Sequence, residues 1–203
     1  NSEKPQIVCL VGGPGCGKGT QCEKLVRDLK FKHLSVGDLM RAEVANKTPE
    51  GLEIEPFQKE GKLVPTELTI KILLKAVKTG KAKRYLIDGF PRNLEQALCF
   101  EREFREIDFI LNYVAPDEVL TERILARAAQ SVTKRADDNP EAIKIRLATF
   151  HEQTNQAIEF YKRLGKVRDI DAVGSPDEVY KLTREALLPN VICFYGPPAS
   201  GQD

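Results

Sequence analysis

The sequence predicts an α/β domain in which helices flank a central parallel β-sheet. Short, wholly apolar runs recur along the chain, and such runs mark strands buried on both faces, as in parallel sheets. Amphipathic stretches alternate with them, which implies right-handed strand–helix–strand crossovers. The 203 residues, 41% of them hydrophobic, suit one domain carrying an insertion and leave enough apolar material for a single core.

Ile7-Val8-Cys9-Leu10-Val11 is the first strand, and it stops at Gly12 and Gly13. Residues 18–29 follow as a helix, with Cys22, Leu25, Val26 and Leu29 at helical spacing. Residues 34–77 show three helical pieces and no strong strand, so they read as a helical insertion after the first strand–helix unit. In the last piece Leu68, Ile72, Leu73 and Ala76 share a face. Further strands are expected at 84–87, 109–114 and 166–170. A polar loop is expected at 128–139. One long helix over 142–164 carries an apolar stripe at Ile143, Leu147, Phe150 and Ile158. Ser175-Pro176-Asp177-Glu178 opens a final helix with a capping box.

Composition excludes several function classes. Lysine and arginine total 31 against 30 acidic residues, a net charge of +1. That balance gives no broad basic surface for nucleic acid or anionic membrane, though it allows a local basic pocket. No apolar run approaches the roughly 20 residues of a membrane helix. The first residues lack the apolar stretch of a signal peptide. Five cysteines without a C-x-x-C spacing predict neither a disulfide scaffold nor a structural zinc, and point to a reducing, cytoplasmic compartment. Neither His33 nor His151 has a ligand partner at helical spacing, so neither is expected to bind metal.

The chemistry is concentrated where the first strand meets the first helix. Gly12-Gly13-Pro14-Gly15-Cys16-Gly17-Lys18 fits G-x-x-x-x-G-K, followed by Gly19 and Thr20. Small residues let backbone N–H groups turn inward on phosphate oxygens, and the helix N-terminus adds partial positive charge. Lys18 is placed to reach the β- and γ-phosphates of a nucleoside triphosphate, and the Thr20 hydroxyl to face the shell of a Mg²⁺ ion. Asp88 ends a buried strand, where a carboxylate can hold water around the same ion. A GTPase would show N-K-x-D, whereas Asn46-Lys47 continues as Thr48-Pro49.

Five co-linear motifs then resemble the nucleoside monophosphate kinase family, which includes adenylate kinases and UMP/CMP kinases. They are the phosphate loop through Gln21, Leu34-Ser35-Val36-Gly37-Asp38-Leu39-Met40-Arg41, Glu60-Gly61-Lys62-Leu63-Val64-Pro65, Asp88-Gly89-Phe90-Pro91-Arg92 and Arg135-Ala136-Asp137-Asp138-Asn139. The resemblance covers residues 6–187. It implies a P-loop kinase with a helical monophosphate-binding insertion at about 35–65 and a short lid at about 128–139. The reaction it implies is reversible phosphoryl transfer from MgATP to a nucleoside monophosphate.

Carried over by position, the resemblance assigns ATP to Gly13, Pro14, Gly15, Cys16, Gly17, Lys18, Gly19, Thr20 and Arg123. It assigns the monophosphate to Val36, Arg41, Val64, Gly89, Arg92, Gln96, Arg135 and Arg146. Lys18, Arg92, Arg123, Arg127, Arg135 and Arg146 would act on the transferred group, with Mg²⁺ held through water by Thr20 and Asp88. Asp137 and Asp138 would orient the lid arginines. Planar guanidinium forks suit phosphate oxygens, and charge stabilisation dominates such transfers.

The acceptor stays open between AMP and UMP/CMP. Gln96 stands where adenylate kinases carry an amide that reads the adenine edge, but some fungal UMP kinases also resemble this chain at Gln96-Ala97-Leu98. Asn93 looks more like UMP/CMP kinases, and Val36 departs from both habits. AMP is the favoured reading. Lys134 stands where a glycine is usual, in a lid about two residues longer than the usual short form. Other readings are a nucleotide-binding module without catalysis and a P-loop ATPase driving a partner.

Residues 190–202 repeat residues 6–18 at an offset of 184, pairing Cys9 with Cys193, Gly12 with Gly196, Pro14 with Pro198 and Gly17 with Gly201, but with Gln202 in place of the lysine. The expectation is a monomeric domain over 1–188 and a tail at 189–203 that begins a second phosphate-loop domain of a tandem array. The alternative is a plain glycine- and proline-rich tail.

Overall fold

A computed structural model describes residues 4–132 and 135–191, leaving out the side chains of 189–191. Five strands form one parallel sheet: β1 (Gln6–Gly12), β2 (Lys32–Ser35), β3 (Arg84–Asp88), β4 (Phe109–Val114) and β5 (Val167–Asp171), in the order β2-β3-β1-β4-β5. β1 is central, and Ile7, Val8, Cys9 and Leu10 are fully buried.

Strand alternation divides the core in two. Ile7, Cys9 and Val11 face one apolar cluster, which takes in α2 (Val36–Ala45), α3 (Pro49–Glu60), α4 (Thr66–Gly80) and α5 (Leu94–Glu103). Val8 and Leu10 face the other, which includes Cys22 and Leu25 of α1 (Lys18–Leu29), Leu120 of α6 (Asp117–Gln130), and Val179 and Leu187 of α9 (Pro176–Val191). Leu10 pairs with both Asp88 and Leu111. The C-terminal ends of β1 and β3 therefore lie side by side, at the crevice where open α/β sheets bind ligands.

The insertion between β2 and β3 is helical, as expected. Its helices α2 and α3 cross closely at Gly51, where a Cβ would sit 2.1 Å from the Glu43 carbonyl oxygen. Thr48 caps α3 by accepting from the Gly51 N–H at 3.0 Å. The final helix opens with the expected reciprocal cap: Ser175 N–H donates to Glu178 Oε2 at 2.7 Å, and Glu178 N–H to Ser175 Oγ at 3.2 Å.

Four expectations are corrected. Leu34 lies in a strand, β2, at the sheet edge; only Leu34 of its four residues is buried, so no apolar run announces it. On α1, Val26 is 37% exposed, and the buried stripe runs through Gln21, Cys22 and Leu25. Helix α6 continues to Gln130, which shortens the polar loop to begin at 131. The helix expected over 142–164 is three pieces: α7 (Pro140–Thr149), a π-helical turn (Phe150–Thr154) and α8 (Asn155–Arg163).

At the C-terminus α9 runs to Val191, past the expected boundary at 188 and into the first residues of the repeat. The rest of the repeat, including Cys193, Gly196, Pro198, Gly201 and Gln202, lies outside the described residues, as does Lys134. Among the described residues no helix is long and apolar enough to cross a membrane.

Candidate active site

The phosphate loop leaves β1 and enters α1 through backbone that only glycine adopts readily. Gly15 and Gly17 have φ of 84° and 92°. A Cβ at Gly15 would also meet the Leu120 carbonyl oxygen at 2.7 Å and Ile124 Cγ1 at 2.8 Å. Lys18 lies folded along this loop, donating from Nζ to the Gly12 carbonyl at 3.3 Å and contacting Cys16 Sγ at 3.4 Å.

The loop forms one wall of a cleft of about 630 Å³, within the range of small-molecule sites. Seven cationic side chains line it, Lys18, Arg41, Arg92, Arg123, Arg127, Arg135 and Arg146, against four carboxylates. The near-neutral chain thus holds a focused positive pocket. Thr20 and Asp88 line the same cleft. They offer a hydroxyl and a carboxylate, the hard oxygen donors that suit Mg²⁺ or its bound waters.

Arg92 is fixed from several sides. Its backbone N–H donates to Gln96 Oε1 at 3.0 Å and its Nε to the Gly89 carbonyl at 3.2 Å. Its own carbonyl accepts from Thr154 Oγ1 at 2.7 Å. Burial pulls the Arg92 guanidinium below the usual arginine range, opposed by the carboxylates of Asp137 and Asp88.

The lid arginines are oriented by two aspartates. Arg127 Nη2 donates to Asp138 Oδ1 at 2.6 Å, and Arg146 Nη1 lies 3.1 Å from Asp137 Oδ2. The Asp138 side chain is 2% exposed, so it is a buried tether. Asn139 then caps α7 by accepting from the Ala142 N–H at 2.9 Å.

Two guanidinium donors nevertheless stay unsatisfied. Arg127 Nε and Arg146 Nη1 are buried without a hydrogen-bond partner among the described residues, because the Arg146–Asp137 approach is an ion pair without hydrogen-bond alignment. Buried donors of this kind are costly unless a ligand completes them. Burial also lowers Arg146 and Arg135. For Arg135 the Arg41 and Arg127 charges add to the effect; for Arg146 the Asp137 carboxylate opposes it. Such mutual repulsion favours an anion between them.

Arg123 and Arg41 are held differently. Arg123 donates to the carbonyls of Ala172 at 2.7 Å and Val173 at 2.9 Å, beyond β5. It borders the cleft but anchors to backbone rather than to the lid aspartates. Arg41 pairs with Asp38 one turn away on α2.

A side chamber joins the cleft at Gly37, Arg41, Gly89, Arg92, Asp137 and Arg146. Val36, Met40, Val64, Thr69, Gln58 and Gln96 line it. The sequence-predicted residues reach the cleft or this chamber except Gly13, Cys16, Asp138 and Asn93. Gly13 and Cys16 lie within the loop behind the lining, Asp138 acts through Arg127, and the Asn93 side chain accepts from the Gln96 N–H at 2.8 Å and caps α5. Met40, Gln58, Thr69 and Thr154 were not anticipated. Met40 lies one helical turn after Val36, so spacing alone could have found it. Thr154 had no signal, since the π-helical turn brings it to Arg92.

The adenylate kinase family model matches residues 10–166. Adenylate kinase 1 of Schistosoma mansoni is 44% identical over 179 residues, 87% of this chain and 90% of the relative. The uridylate kinase of Saccharomyces cerevisiae is 43% identical over 190 residues, 91% and 92% of the two chains. Adenylate kinase isoenzyme 1 of Homo sapiens is 42% identical over 180 residues, 88% and 92%. A family model over residues 10–166, with relatives 42–44% identical along about nine-tenths of their own length, places this chain in the adenylate kinase family of nucleoside monophosphate kinases.

Proposed function

We propose that this kinase transfers a phosphoryl group between MgATP and AMP, forming two ADP. The observation that carries the choice of acceptor is the setting of Gln96. A backbone N–H can only donate, so its bond from Arg92 identifies the bound atom of Gln96 as Oε1. The amide Nε2 is then the group left to read a base, and it pairs with a ring acceptor such as adenine N1. Asn93 pointed toward a pyrimidine acceptor, but it is occupied by the helix cap. The chamber walls Val36, Met40 and Val64 are apolar and buried, which suits a flat ring.

Two polyanions meet in this cleft, and the protein supplies position and charge. Lys18 and the loop N–H groups bind the ATP phosphates, while Arg123 borders the ATP side. Arg41 and Arg92 grip the monophosphate. Arg127, Arg135 and Arg146 gather around the transferred group, and the unsatisfied donors of Arg127 and Arg146 find its equatorial oxygens as charge spreads over them. Thr20 and Asp88 would hold Mg²⁺ through water, and the ion supplies neutralisation of phosphate charge when bound. Water is the competing nucleophile, so the lid residues must exclude it before transfer.

UMP/CMP is the second reading, favoured by the likeness to a uridylate kinase. The test is diphosphate formation from MgATP with AMP, UMP, CMP, dCMP and GMP in turn. AMP is expected to give the highest kcat/KM, and a higher value with UMP or CMP would overturn it. ATP binding without product from any acceptor would instead support a binding module. The repeat of 6–18 at 190–202 supports membership of a tandem array, which sequencing the complete reading frame tests.

A further inference from the structure

Three different metal-ligand types meet at the floor of the cleft. Cys22 comes from α1, His33 from β2 and Asp88 from the end of β3, and their ligand atoms all lie within 4.8 Å of one another. His33 Nε2 and Asp88 Oδ2 are 3.3 Å apart. Ligands bound tetrahedrally to zinc stand roughly 3.3–3.8 Å apart, so about 1 Å of closing would complete the geometry. His33 and Asp88 also line the open cleft, which gives an ion a path in.

We propose that Cys22, His33 and Asp88 form an inhibitory site for a zinc-class divalent cation. A thiolate, an imidazole and a carboxylate are the donor set such ions prefer, with a fourth position left open toward the cleft. Mg²⁺ is a poor competitor for this set, because it demands an octahedron of oxygens. On binding, the thiol gives its proton to solvent and the ion takes the sulfur lone pair. Asp88 is the shared group: bound to the softer ion, it no longer holds the water shell of Mg²⁺, and turnover falls. The three residues are far apart in sequence, at 22, 33 and 88, and no motif spacing links them. Only the adjacency of β2 and β3 to α1 makes the set.

The inhibitory half rests on the reading of Asp88 given above; binding does not. The full chain, free of nucleotide, is titrated with Co²⁺ as a spectroscopic probe and then with Zn²⁺. One equivalent of Co²⁺ is expected to produce a thiolate-to-metal charge-transfer band that Zn²⁺ removes. Cys22→Ser should abolish the band. His33→Gln should weaken Zn²⁺ binding by on the order of 100-fold, at least what losing an outer-shell partner costs, and raise the Zn²⁺ needed for inhibition in proportion. Cys99→Ser should leave both unchanged. No band in the unaltered chain, or a band that survives Cys22→Ser, overturns the site. If Cys22→Ser fails to fold by circular dichroism, His33→Gln decides, and unchanged affinity there overturns it. A band accompanied by undiminished turnover overturns the inhibitory role.

Discussion

At the phosphate end of the cleft, Lys18, Arg92, Arg127, Arg135 and Arg146 converge from separate elements, and buried Asp138 with Asp137 aims the lid arginines. In the adjoining chamber, Val36, Met40 and Val64 form apolar walls, and two amides, Gln58 and Gln96, supply polar contacts. The first region is built from strong, directional charge–charge contacts whose residue types are nearly dictated by phosphate. The second is built from shape and a few neutral hydrogen bonds, which many bases satisfy. On the proposed reading, rate and acceptor choice are encoded in separate regions.

That contrast can be broken experimentally, and the largest effect belongs to the phosphate end. Lys18→Met should lower kcat by about 1,000-fold in a coupled assay, by analogy with the loss of a charge-stabilising donor. Near-normal turnover would remove Lys18 from the chemistry. Arg92→Lys keeps the charge but loses the planar fork, and about 100-fold loss is expected with the fold intact by circular dichroism. In the base chamber, Gln96→Leu should raise KM for AMP roughly tenfold with a smaller change in kcat. A collapse of kcat instead would show that the two regions are one unit. The smallest effect is expected from Asn93→Ala, a loss of about 1 kcal/mol of stability from the helix cap, read by denaturant unfolding, with an unchanged ratio of AMP to UMP turnover. A changed ratio would return Asn93 to the base-reading side.

The same contrast governs what was legible in the amino-acid order. Glycines, Lys18 and Asp88 are local to strand ends, so their spacing alone pointed to the phosphate loop and to a carboxylate lining the same cleft. The lid arginines and Asp138 became legible through resemblance, because their partners are assembled by tertiary contacts between α6, the lid and α7. β2 was missed because an edge strand with one buried residue carries no apolar run. Gln58 and Thr69 escaped because a pocket wall is made of whatever faces an insertion presents. Asn93 has a use its motif position does not show: an asparagine before a helix can cap it, as Asn93 caps α5.

One continuous rod joins α7 to α8 through the π-helical turn at Phe150–Thr154. An α-helix turns about 100° per residue, and a π turn takes in an extra residue, so the downstream faces are out of phase with those upstream. That offset lets the rod present Arg146 to the lid aspartates, Thr154 to the Arg92 carbonyl, and Ile158 and Tyr161 to the core. The rod behaves as a crankshaft whose throws are set by residue count. Removing one residue from 150–154 would touch no arginine, yet it would swing every later contact to the wrong side and uncouple the lid aspartates from Arg92.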